Sequence, residues 1–201
     1  MATPLVLACG ALVAELRAVL AAAGLDREVE VRYLPANLHN RPERIVPALE
    51  ALLAEADPHH DRAVLVGYAD CGTGGGLDRL LDARPNLRRL PGSHCYEFFA
   101  GADLFEALHD AEPGTLYLTD YLAKHFDALL WQGLGLDRHP ELLPAYFGNY
   151  RRVVLLSQTE RADVLEAAAA AAARLGLAFE HRHVGLQPFS AAVTVQLRKV
   201  A

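Results

Sequence analysis

Short blocks of consecutive apolar residues alternate with longer segments in which apolar positions recur every third or fourth residue, and Gly, Pro, Asn and Asp punctuate the joins. The first pattern marks strands buried on both faces; the second marks amphipathic helices. Leu5-Val-Leu-Ala-Cys9 is the first such block, and residues 11–23 follow as an Ala/Leu-rich helix that Gly24 can terminate. Val29–Leu34 reads as a second strand. The polar turn Asn37-Leu-His-Asn-Arg41 leads into a helix with Pro42 in its first turn, where a missing N–H costs nothing, and Pro47 should bend this helix or move its start.

Ala63-Val-Leu-Val-Gly-Tyr-Ala69 is the clearest buried strand, and it runs directly into Asp70-Cys-Gly-Thr-Gly-Gly-Gly76 before a helix over Leu77–Leu81. A weaker strand at Leu87–Leu90 precedes Pro91-Gly-Ser-His-Cys95, and residues 96–110 read as one helix. Thr115–Thr119 is the next strand, followed by a helix carrying Trp131 and a looser segment from Gly133 to Asn149. Val153–Ser157 is a further strand, the Ala-rich helix after it ends near Gly176, and Leu177–His183 is the last; residues 190–198 alternate well enough to add an edge strand. Such alternation predicts an α/β fold of Rossmann-like, doubly wound type, with a mainly parallel sheet, right-handed crossovers and helices on both faces. A length of 201 residues suits a single α/β domain over 1–201.

Composition narrows the classes. With 52% hydrophobic residues the chain has the apolar material for a packed core, which excludes disorder. A net charge of −6, with no basic run longer than Arg88-Arg89 or Arg151-Arg152, offers little to a phosphate backbone and sets nucleic acid aside. No apolar run reaches the roughly eighteen residues that cross a bilayer. The start Met1-Ala2-Thr3-Pro4 also lacks the basic residues of a secretory signal, so no membrane partner and a cytoplasmic location are expected. In that reducing compartment three widely spaced cysteines are unsuited to structural disulfides, which leaves packing, catalysis or metal binding.

In a doubly wound sheet, ligands bind outside the carboxyl ends of the strands. Cys9 ends the first strand, Cys71 follows the strongest one and Cys95 follows the strand near Leu87, so all three can face one edge. A lone free cysteine is more often just a small buried hydrophobe. Three of them at equivalent strand ends beside glycines point instead to one metal site. Gly10, Gly72, Gly74, Gly75 and Gly76 would let backbone N–H groups approach the negative charge of a thiolate centre and help bind its cofactor. A phosphate cradle is the rival reading of this loop, but the Lys-Ser/Thr ending of a P-loop and the spacing of a dinucleotide fingerprint are both missing.

His39, His94 and Asp70 are the candidates for proton transfer, His39 and His94 also being metal-ligand candidates; Tyr68 and Glu97 flank the thiols, and His59-His60 reads as a solvated loop. The absence of a CxxC pair argues against a closed zinc knuckle. Three cysteines with an open fourth position suit zinc that activates a substrate thiol or water, or a [4Fe–4S] cluster with one free iron, and thiolate ligation alone does not choose between them. A carrier delivering a metal or corrinoid is the alternative to an enzyme, and a domain whose glycines cradle a small anion is the plainest reading. Leu129-Leu130-Trp131 and Tyr146-Phe147 read first as core and second as the face of a homodimer.

Several short motifs also resemble a bacterial and archaeal family of α/β proteins, the domain of unknown function 1638 family. They are Ala8-Cys9-Gly10-Ala11-Leu12, Leu38-His39-Asn40-Arg41-Pro42, Gly67-Tyr68-Ala69-Asp70-Cys71-Gly72, Pro91-Gly-Ser-His94-Cys95 with Gly101, and Tyr117-Leu118-Thr119. The chain departs from the family pattern at the fourth motif: His94 directly precedes Cys95, and Ala100-Gly101-Ala102 stands where relatives have Leu-Gly-Ser. The resemblance implies an α/β fold. It also links the chain to corrinoid-dependent methyl transfer, with a small-molecule substrate and a corrinoid protein or methyltransferase as partner.

Overall fold

Leu5–Cys9 forms β1, and its first four side chains are wholly buried, as a strand covered on both faces requires. The computed structural model describes residues 3–200, the side chain of Val200 excepted. From β1 the chain continues through α1 (Val13–Ala22), β2 (Glu30–Leu34), α2 (Ile45–Ala56), β3 (Val64–Gly67), α3 (Gly76–Ala83), β4 (Leu87–Arg89) and α4 (Cys95–Ala100). It goes on through α5 (Ala102–Ala111), β5 (Thr115–Leu118), α6 (Asp120–Lys124), a π-helical turn (Asp127–Trp131), α7 (Leu143–Phe147), β6 (Arg152–Ser157), α8 (Ala162–Leu175), β7 (Ala178–His183) and α9 (Gln187–Val200).

The α/β class with parallel strands flanked by helices is as expected, but the strands divide between two sheets. One has the order β2-β1-β3-β4 and the other β5-β6-β7, and every pairing is parallel. The chain accordingly forms two compact units. The first runs to Phe98 and is completed by the segment from Leu186 onward; the second is Phe99–Gly185.

In the first unit β1 is central. The chain leaves it to one side for β2 and then crosses back to place β3 on its other side. Two right-handed crossovers made in opposite directions put their helices on opposite faces. Leu5, Leu7, Val64 and Val66 pack with Leu34 and with Ile45, Leu49 and Leu53 of α2 and Leu77 and Leu80 of α3 in one core cluster. Val6 and Leu65, one residue out of step, are equally buried toward the other face, where α9 packs on β3 and β4 and meets α1. The strand order reverses between β1 and β3, which in an open α/β sheet is where a ligand crevice forms.

Residues 190–198 are helical, not an edge strand. Val193, Val195 and Leu197 alternate like a strand, yet Phe189, Val193 and Leu197, four residues apart, are the buried ones, while Val195 is 48% exposed. The helix expected over 96–110 is two helices. Gly101, at φ +81° and ψ 148°, holds a backbone conformation open essentially to glycine alone and breaks the run. Pro47 moves the start of its helix rather than bending it: Pro42–Arg44 is a 3₁₀ turn, and α2 begins at Ile45 with Pro47 in its first turn. No helix among the described residues is long and apolar enough to cross a membrane. In the second unit Leu129, Leu130 and Phe147 are buried and Tyr146 is exposed.

Gly67 controls how closely β1 and β3 approach at the site end. It is registered with Ala8, and a Cβ on it would stand 2.7 Å from the Ala8 Cβ. Gly67→Ala is expected to cost about 1–3 kcal/mol through this overpacking, read as a lower denaturant midpoint with an unchanged slope.

Candidate metal centre

One step past the last registered pair of β1 and β3 lie Cys9 and Tyr68, so the register brings the first thiol level with a buried ring. Cys9 closes its strand and caps the 3₁₀ turn that follows: its sulfur accepts the Ala11 N–H at 3.5 Å. Gly10 makes this turn fit. A Cβ there would be 2.8 Å from the Leu34 carbonyl oxygen and 3.1 Å from the Ala36 nitrogen, so only glycine lets the end of β2 and the His39 turn come this close to Cys9.

Cys71 sits in the loop between β3 and α3 at φ +50°, a left-handed conformation that residues with a Cβ adopt sparingly. Asp70 holds the loop in place. Thr73 Oγ1 donates to its Oδ1 at 2.6 Å, the Gly75 N–H to the same oxygen at 2.9 Å, and the Gly74 N–H to Oδ2 at 3.3 Å. Burial alone would raise the Asp70 carboxyl; the hydrogen bonds from Thr73, Gly75 and Gly74 and the charge of Arg89 outweigh it and hold the group below its ordinary range. Gly72, Gly74 and Gly75 all have positive φ, and Gly72 rests on the ring of Pro42.

The third thiol is carried in by the loop after β4. The Asp70 N–H donates to the Gly92 carbonyl at 3.1 Å and the Cys71 N–H to the Ser93 carbonyl at 2.8 Å, which fastens one loop to the other. Cys95 then opens α4, while Glu97 in its first turn folds back to accept the Ser93 N–H at 2.9 Å. Arg89 completes the fastening: it pairs with Asp78 at 2.6 Å and donates to the Leu90 and Gly92 carbonyls.

Cys9, Cys71 and Cys95 are thereby electrostatic neighbours. Burial and then the charge of Cys9 push the Cys71 thiol up to about 12. Cys95 is raised by burial and then by Cys71 and Cys9 in turn. Burial also raises Cys9, against the hydrogen bonds of Ala11 and Tyr68. Backbone amides offset part of this rise: those of Ala11 at Cys9, of Ala69 and Cys95 at Cys71, and of Cys95 and Tyr96 at Cys95 each lower the thiol. Such donors stabilise thiolates, so the elevated values reflect confinement and mutual repulsion, both of which a cation relieves. Each thiol is free and partly exposed.

The Tyr68 hydroxyl is buried without a hydrogen-bond partner of ordinary geometry, and burial followed by the charges of Cys9 and Cys71 keeps it protonated. A buried donor left over beside the Cys9 and Cys71 sulfurs fits a site that receives a negatively charged thiolate centre. Among the described residues no group of three or more His, Cys, Asp and Glu side chains is arranged to hold an ion, so the thiols stand as neighbours rather than as a closed shell. Neutral thiols exert no attraction that would close one.

His39 and His94 meet electrostatically. The surrounding protein, and after it the charge of His94, pull the His39 imidazole below its ordinary value, although both residues keep exposed surface. A groove of about 350 Å³ between α2 and α3 borders the glycine loop and is lined by Pro42, Val46, Thr73, Gly76 and Arg79, within the size range of small-molecule sites.

The family described as protein of unknown function (DUF1638) matches residues 33–193. The chain belongs to this family. The stretch shared with the domain of unknown function 1638 family takes in His39, Tyr68, Cys71, His94 and Cys95 and the whole second unit, and begins after Cys9. Comparison with curated proteins and with solved structures found no match. Two residues of the site carry no signal in the sequence: Thr73, whose hydroxyl bridges Asp70 and the Leu77 N–H, and Arg89, which reads there as half of a basic pair.

Proposed function

We infer that this protein uses Cys9, Cys71 and Cys95 as the ligands of one soft metal centre, zinc or a [4Fe–4S] cluster, with a coordination position left for a small-molecule substrate. The reading rests on one observation: backbone hydrogen bonds fasten the Gly92-Ser93 loop before Cys95 to Asp70 and Cys71, and the register of β1 with β3 runs on to Cys9 beside Tyr68, all at the strand-order reversal. A bound centre of this kind supplies a Lewis acid that lowers the pKa of a substrate thiol or water for methyl- or sulfur-group transfer.

The chain's own groups take the remaining roles. The buried Tyr68 hydroxyl, left without a partner, is available to donate to a Cys9 thiolate, Gly10, Gly72, Gly74 and Gly75 give the backbone access to the centre, and Asp70 positions Cys71. His39, whose imidazole is shifted toward its neutral form, accepts a proton, and His94 faces it. In a reducing cytoplasm the thiols stay free for ligation.

Purification without oxygen, reconstitution with zinc or with iron and sulfide, elemental analysis and visible absorption test this reading. One centre per chain is expected; protein that stays free of zinc, iron, nickel and cobalt after reconstitution contradicts it.

A second reading, a non-enzymatic carrier that passes a metal or corrinoid to a corrinoid protein or methyltransferase partner, is favoured by one feature. The carboxylate nearest the thiols, Asp70, is occupied by the loop instead of facing a substrate. His39→Ala and His94→Ala separate the two readings: an enzyme loses turnover, whereas a carrier keeps both its metal and its delivery.

A further inference from the structure

The second unit holds a separate cluster of metal-ligating groups at the carboxyl ends of its own strands. In the parallel pairing of β6 with β7, Ser157 is registered with His183 and Leu155 with His181. Registered partners share a face and residues two apart along a strand share a face, so Ser157, His181 and His183 converge on one side at one end of the sheet. The side chains meet there: Ser157 Oγ lies 2.9 Å from His181 Nε2 and 3.1 Å from His183 Nδ1.

Ser157 is nearly fully buried, whereas both histidines are exposed on β7, the edge strand of the sheet. Its position is tightly held. The Val184 and Gly185 N–H groups donate to the Ser157 carbonyl at 2.9 and 3.2 Å. The next residue, Gln158, exchanges hydrogen bonds with Asp120 of α6: the Asp120 N–H donates to Gln158 Oε1 at 3.0 Å, and the Gln158 N–H to Asp120 Oδ1 at 2.9 Å.

A hydroxyl carries one proton, so of two imidazole nitrogens turned toward one oxygen only one can accept it and the other must donate. The same geometry satisfies all three atoms another way. In the square-planar or tetragonal coordination of nickel(II) and copper(II) neighbouring ligands stand at right angles, and with metal–nitrogen bonds of about 2.1 Å they are about 3.0 Å apart, close to the 2.9 and 3.1 Å that separate Ser157 Oγ from the two nitrogens. We propose that Ser157, His181 and His183 form a binding site for a divalent transition-metal ion of the nickel and copper class, with the two imidazoles as principal ligands and the hydroxyl as a weak third.

Imidazole suits these ions, and none of the three ligands is anionic. Glu180 does not join them: it points from the opposite face of β7 and pairs with Arg152 and Arg182. The ion therefore keeps its full charge, and its remaining positions open toward solvent past the exposed rings, so it can take an anionic small molecule as an outer ligand. Its three ligands all belong to the second unit.

The test is titration of the full chain, its cysteines capped by alkylation so that they neither bind nor reduce the ion, with nickel(II) by calorimetry and with copper(II) by electron paramagnetic resonance. One ion ligated by nitrogen is expected, and His181→Ala and His183→Ala should each weaken its binding more than tenfold. Both residues are exposed, so circular dichroism should be unchanged in either variant. Cys71→Ser and the double variant His59→Ala, His60→Ala should leave this ion in place. Affinity unchanged in both His181→Ala and His183→Ala, binding that disappears with Cys71→Ser, or binding that disappears with the His59/His60 variant would each overturn the proposal.

Discussion

Cys71→Ser is expected to weaken zinc binding at the thiol site by more than the 10–100-fold that removal of a supporting outer-shell partner typically costs, since it removes a ligand itself. Serine keeps the size and shape of the side chain and inherits the same left-handed backbone at φ +50°, so folding should be little affected. The pH dependence makes the test specific. With the Cys71 thiol pushed up to about 12 and Cys9 and Cys95 also raised, all three are protonated at neutral pH. Ligation must displace their protons. Each displaced proton steepens the apparent affinity by about tenfold per pH unit, rising with pH. Zinc competition against a chromophoric chelator between pH 6 and 8, roughly the range in which these thiols stay protonated, should thus show a steep slope that becomes shallower by one proton in Cys71→Ser. An unchanged slope and affinity in the variant would remove Cys71 from the centre.

Asp70→Ala carries the second large effect, on fold and site together. It strips the partner from the Thr73 hydroxyl and from the Gly74 and Gly75 N–H groups, of which the exposed Gly74 N–H can turn to water. A hydrogen bond to a charged group contributes about 1.5–3 kcal/mol net of its exchange with water; with the carboxylate partly exposed and the Gly74 N–H open to solvent, a loss on the order of 2–3 kcal/mol is expected for the three together. The sign of the pH dependence follows from the lowered carboxyl. Its stabilisation is complete above the ordinary aspartate value of about 4 and fades as pH falls through the lower folded value. Chemical denaturation should accordingly show wild type and Asp70→Asn separated by a constant gap above about pH 4 and converging as pH falls below it. Curves that stay parallel down to pH 2 would mean that the charge on Asp70 contributes nothing to the loop. Because that loop sets where Cys71 stands, Asp70→Ala should also weaken zinc binding, by roughly 10–100-fold.

Some features of the site were legible before any coordinates. Cys9 and Cys71 lie next to apolar runs that end in glycine, and a parallel sheet presents all such ends on one edge, so their convergence follows from strand order. Cys95 was harder to place. It opens a helix rather than ending a strand, and it reaches the site because two backbone hydrogen bonds fasten the Gly92-Ser93 loop to Asp70 and Cys71. Asp70 looks from sequence like a free carboxylate beside a thiol, whereas it accepts hydrogen bonds from Thr73, Gly74 and Gly75 just after it. Ser157, His181 and His183 carry no local signal, because their association depends on the register between β6 and β7.

What the chain determines locally is the kind of each element. Buried runs such as Val64–Gly67 and Val153–Ser157 have the apolar continuity of covered strands, and residues 162–175 combine high helix propensity with a terminating glycine. Tertiary structure decided what local pattern leaves degenerate. Val193, Val195 and Leu197 satisfy a period of two as well as part of a helical stripe, and packing selects the helix because it buries Phe189, Val193 and Leu197 together. Division of the strands between two sheets, the fastening of loops around the thiols and the meeting of Ser157 with two histidines belong to the same class. Each is a contact between residues distant along the chain, and its free energy depends on which surfaces the fold has already brought together, so no local window contains it.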